Sequence, residues 1–121
     1  MLNLQTNYET ITVTNKSKGF LESEYKDQDF EIKLKTLSNQ EQFKIIQENT
    51  TIKSGKEVTD FSGVSLSQLK KMIISWKGIG SEGKELKKTD ANIEAIFNYA
   101  QDFIAVLLNE ISSEKSKKKV K

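Results

Sequence analysis

Between Tyr8 and Thr14 the chain reads Tyr-Glu-Thr-Ile-Thr-Val-Thr, a β-branched alternation with the two-residue period of a half-buried strand. Asn15-Lys16-Ser17-Lys18-Gly19 follows as a turn, and Phe20, Leu21 and Tyr25 fall in a weaker extended piece closed by a second turn at Lys26-Asp27-Gln28. Phe30, Ile32 and Leu34 then alternate with Glu31, Lys33 and Lys35, so one face is apolar and the other charged. The period changes at Ser38-Asn39-Gln40-Glu41. There a serine that accepts from an early amide and a glutamate that reaches back form a capping box, predicting a helix that carries Phe43, Ile45 and Ile46 and fades after Glu48. The stretch from Asn49 to Gly63 is polar and reads as a long loop.

Ser65-Leu66-Ser67-Gln68 repeats the capping pattern, with Val64 and Leu69 placed as a hydrophobic staple. Leu66, Leu69, Met72, Ile73 and Trp76 recur at helical spacing and predict an inward face ending at the tryptophan. The three glycines of Lys77-Gly78-Ile79-Gly80-Ser81-Glu82-Gly83 then forbid good helix and predict a tight loop or short hairpin. Thr89 or Asp90 caps a final apolar segment whose face comprises Ile93, Ile96, Phe97, Ala100, Phe103, Ile104, Leu107, Leu108 and Ile111. The pattern leaves open whether this segment is one rod or breaks between Asn98 and Gln101. Its apolar face is wide, and a small domain covers only part of such a face, so the remainder is a candidate contact surface. Phe97, Phe103, Ile104, Leu107, Leu108 and Ile111 are the candidate protein-binding residues. The predicted class is α+β: a small N-terminal antiparallel sheet or hairpin, then a mainly helical C-terminal part. Residues 1–112 read as a single domain and 113–121 as a flexible basic tail.

Composition narrows the chemistry. The chain has 121 residues, enough for one real core, and contains neither cysteine nor histidine. That removes disulfides, thiolate metal sites, the commonest general base and the usual partner of a serine nucleophile. No acid pair, serine-base pair or metal cluster stands out, so no catalytic, cofactor-binding or metal-ligating residue is assigned, and a non-catalytic protein is expected. Nineteen basic residues against 17 acidic ones leave a net charge of +2, little field for gripping a nucleic-acid backbone. The first residues lack a basic region followed by an apolar one, which predicts a cytoplasmic protein rather than a secreted one. The apolar run from Ala95 to Leu108 is interrupted by Asn98, Gln101 and Asp102, short of the roughly 18 residues a membrane span needs.

Gly78-x-Gly80-x-x-Gly83 has the spacing of a dinucleotide fingerprint, but the residues before it look helical and those after it polar, so a plain glycine turn is the better reading. Trp76 reads as core rather than as a ligand platform, given its place at the end of an inward face. Ser116-Lys117-Lys118-Lys119 is a run of a kind that is usually solvated, although it has the charge to touch anionic surfaces.

Trp76-Lys77-Gly78, a glycine turn closing at Gly83, a start at Thr89-Asp90-Ala91-Asn92 and an apolar final segment resemble the tail assembly chaperones of long-tailed bacteriophages. Phe30-Glu31-Ile32-Lys33-Leu34 followed by Leu37-Ser38 is similar to the first half of that family. The chain departs from it in having no proline and in carrying Ser81-Glu82-Gly83 where relatives have an aspartate-containing turn. The resemblance implies a protein that coats the helical tape-measure protein and helps recruit tail-tube subunits, with Trp76, Gly78 and Gly83 as a structural motif. Two other readings remain open: a small structural tail or head-completion subunit that forms a homo-oligomer, and, with less support, a small nucleic-acid-binding protein using Lys70, Lys71, Lys84, Lys87, Lys88 and the tail.

Overall fold

The computed structural model describes residues 1–119 and gives an α+β fold. Three strands, β1 (Thr10–Thr14), β2 (Glu31–Lys35) and β5 (Ile73–Lys77), form an antiparallel sheet in the order β1-β2-β5. Ile11 pairs with Leu34 and Val13 with Ile32, so the alternation seen in the sequence puts four buried aliphatic side chains on one face. Thr12 and Lys33 face outward and are exposed. Between β1 and β2 the buried Asn15 side chain donates to the Lys26 carbonyl at 3.0 Å and to the Asp29 carboxylate at 3.2 Å, closing the connection from within.

Helix α1 (Lys18–Leu21) takes the end of the predicted turn and the start of the piece predicted as extended. The reason is tertiary. Phe20 is fully buried against Phe30 and Phe103, with ring centroids 4.9 and 5.3 Å away, and one helical turn delivers it there. Helix α2 (Asn39–Glu48) begins at the expected capping box: Ser38 Oγ accepts from Glu41 N at 3.1 Å and Glu41 Oε1 from Ser38 N at 3.0 Å.

The expected polar loop is instead a hairpin, β3 (Thr50–Lys53) and β4 (Lys56–Thr59), turned by Ser54 and Gly55 at φ 51° and 76°. Two consecutive left-handed residues make the two-residue turn that matches strand twist. Helix α3 (Phe61–Met72) starts four residues before the predicted cap at Ser65, because Asp60 accepts from Gly63 N at 3.0 Å. It also ends before Trp76. Ile73 closes the helix and opens β5 with no residue between, the β-branched Ile73-Ile74 pair favouring extended backbone. Trp76 therefore lies on a strand, opposite Ile32, and Ile74 is left unpaired where the β2–β5 register shifts.

A second hairpin, β6 (Gly80–Ser81) with β7 (Lys84–Glu85), answers the short-hairpin expectation. The final segment divides into α4 (Asp90–Tyr99) and α5 (Gln101–Lys119), broken at Ala100. At the break Gln101 Nε2 donates to the Asn98 carbonyl at 3.4 Å, satisfying one carbonyl freed there. Helix α5 crosses β1 and packs on α1, while α4 packs on α3. The segment expected to be a tail continues α5 as helix to Lys119. Val120 and Lys121 lie outside the described residues, as do the side chains of Lys117, Lys118 and Lys119, on which the reading of a solvated run rests.

Candidate functional site

Three pieces of helix meet without filling the space between them. Asp60 caps α3 so that Phe61 becomes its first residue, where it stands 77% exposed. Thr89 Oγ1 accepts from Asn92 N at 3.1 Å and starts α4, whose last turn brings Phe97 and Asn98 toward α3. The break at Ala100 redirects the chain, and α5 presents Ile104, Ala105 and Leu108 to the same space. The result is an open groove of about 550 Å³ with Phe61 and Phe97 on its walls and Ile104, Ala105 and Leu108 along α5. Ser62, Ser65, Asn98 and Gln101 complete the lining, which contains no charged side chain.

This arrangement sorts the residues expected to bind protein. Phe97, Ile104 and Leu108 are at the groove, although Ile104 is mostly covered. Leu107 and Ile111 are 1% and 4% exposed and belong to the core, so they offer nothing to a partner. Phe103 faces the other way, with its ring 5.3 Å from Tyr25 and 5.5 Å from Phe30. The wide apolar face of the last segment is thus mostly consumed internally, because α1, the sheet and α3 all pack on it. Sequence reasoning did not assign Phe61 to the site. The signal for Phe61 was Asp60: an aspartate cap makes the next residue the first of a helix, and one turn on at i+4 lies Ser65, which lines the same groove.

The tryptophan-glycine motif has a different task. Trp76 Nε1 donates to the Leu86 carbonyl at 2.8 Å and ties β5 to the strand-to-helix connection. Gly78, at φ 73°, lies against the backbone of Asp29, whose carbonyl oxygen would be 2.3 Å from any Cβ. Gly83, at φ 78°, makes the turn of the second hairpin. The three glycine positions shape that hairpin, and no helix begins directly after them.

Elsewhere, a polar cleft of about 750 Å³ lies between residues 5–9 and the start of α2, but the capping box already occupies Ser38 and Glu41 there. The Ser38 backbone N–H holds the Glu41 carboxyl below the usual carboxylate range, with Lys35 reinforcing it at 3.6 Å. Burial, helped by Glu24 and Asp102, raises the Tyr25 phenol. The void within the core is about 10 Å³, too small for more than a single water. Among the described residues, no helix is long and apolar enough to cross a membrane. Comparison with known protein families, with curated proteins and with solved structures finds no match.

Proposed function

We propose that this protein is a non-catalytic tail assembly chaperone of a phage or prophage, acting in the host cytoplasm, where it binds the helical tape-measure protein and tail-tube subunits during assembly. The observation that carries the reading is the open apolar groove between α3, α4 and α5, with Phe61 exposed at its mouth. A groove flanked by helices is a general means of receiving the apolar face of another helix. The resemblance of the tryptophan-glycine motif and the final apolar segment supports the choice of client.

The test is co-expression with the long helical protein encoded beside it, followed by affinity capture and sizing at low and high salt. Recovery of a soluble complex that survives high salt is the expected result. An insoluble client, with this protein running alone as a fixed ring, would instead favour a structural subunit. That second reading draws on Phe43, Ile46 and Ile52, exposed apolar side chains on α2 and the β3–β4 hairpin, outside the groove.

A further inference from the structure

We infer that the groove selects a helix whose docking face is free of charge: apolar side chains at helical spacing flanked by Ser, Thr, Asn or Gln. The inference rests on the reading that the protein binds a helical partner and specifies the chemistry of the face that is bound. In a chain with 30% charged residues, all nine residues lining this groove are uncharged. A carboxylate or ammonium carried into it would lose water and meet no opposite charge, the arrangement that penalises buried ions most. Of the charges on the surrounding helices, Lys70 of α3 and Glu94 of α4 pair with each other at 3.2 Å, the Asp60 carboxylate accepts from Gly63 N, and Asp102, next to Gln101 in sequence, is outside the lining.

The polar members of the lining define what belongs beside the apolar stripe. Among the described residues, Ser62, Ser65 and the Asn98 amide make no side-chain hydrogen bond, so in the open groove their polar atoms are left to solvent. Covering them with aliphatic groups alone would leave donors and acceptors unpaired, whereas a flanking hydroxyl or amide on the partner pairs with them. The α5 side of the groove, from Gln101 to Leu108, is two helical turns long, so the contact reads about two turns of partner, or about 10 Å. Discrimination therefore comes from rejecting charge as much as from gaining contacts.

The test uses three labelled helical peptides of about 20 residues with the same leucine stripe, flanked by Ser and Gln, by Glu, or by Lys, titrated into the full chain by fluorescence anisotropy. The neutral peptide is expected to bind at least about tenfold more tightly than either charged one. Its affinity should change less than about twofold between about 50 and about 500 mM salt. Ala105→Arg, at an exposed position inside the groove, is expected to weaken the neutral peptide about tenfold while leaving the circular dichroism unchanged. Asn98→Lys repeats the test from the α4 side should the first variant be misfolded. Equal or tighter binding of a charged peptide, or neutral-peptide binding that both variants leave intact, overturns the inference. Capture of the tape-measure protein by Ala105→Arg as well as by wild type also overturns it, while leaving the chaperone reading standing. Selective peptide binding without capture of that client does the reverse.

Discussion

On the side of α5 that faces α1 and the sheet, Phe103 meets the rings of Phe20, Tyr25 and Phe30 at centroid distances of 5.3 to 5.5 Å, and the Glu110 carboxylate accepts from Gly19 N at 2.5 Å. On the side that faces α3, Ile104, Ala105 and Leu108 look across open space to Phe61. One helix thus carries a saturated apolar face and an unsaturated one. Both sides carry apolar residues, but the supply of covering elements differs. Hydrophobicity along α5 marks what wants cover, while topology decides what receives it.

If the aromatic side is the part that stabilises the fold, Phe20→Ala will cost about 3–5 kcal/mol and leave the chain unfolded or barely folded in a denaturant titration. A loss no larger than that from a surface substitution would erase the distinction between the two sides. Glu110→Ala removes the acceptor that an element distant in sequence supplies to α1, and should cost about 1–3 kcal/mol by the same titration. At the groove side, Asp60→Ala should cost about 1 kcal/mol through loss of the α3 cap. Ser65→Ala should be close to neutral, and a larger effect there would restore the cap that the sequence pattern suggested.

The Glu41 box gives a pH-dependent increment. Its carboxyl titrates lower in the folded chain than in the unfolded one, so its stabilisation is fully present above the unfolded carboxylate pKa and is lost as pH falls through the folded value. Carboxyl NMR of Glu41 should show the depressed titration, and Glu41→Gln should flatten that part of the stability profile. Phe61→Ala is likewise expected to change stability by no more than about 0.5 kcal/mol, since the ring lies mostly in water. Its effect should appear instead in client capture. A stability loss like that of Phe20 would mean that the groove is closed in solution.

Local signals were legible wherever chemistry and period agreed. The alternation at Ile32 and Leu34, the Ser38–Glu41 box and the Thr89 cap all stand where their patterns put them. The misreadings arose where two signals competed. Ser65 to Gln68 satisfies a capping pattern inside a helix already started by Asp60, and Thr50 to Thr59 looked polar because its strands have no buried face to reveal an alternation. Trp76 falls in phase with Leu69 and Met72, yet Ile73 and Ile74 change the backbone before it is reached. At the candidate site, Phe97, Ile104 and Leu108 followed from the periodicity. Phe61 did not, because its role depends on where a helix begins. The burial of Leu107 and Ile111 depends on contacts with α1 and β1, which lie about ninety residues earlier in the chain.

The direct passage from α3 into β5 has a mechanical consequence. With no residue between Met72 and Ile73 to absorb a rotation, swinging α3 outward would pull on the β2–β5 ladder and strain the sheet. The opposite wall is jointed at Ala100, where the chain changes direction without any ladder to break. Amide exchange should accordingly be slow at Ser75 and Trp76 and faster around Ala100, the reverse ordering being incompatible with this division. The α3 wall of the groove is thereby coupled to the sheet, while α5 is held from behind by α1 and β1 and the α4–α5 joint at Ala100 carries no ladder.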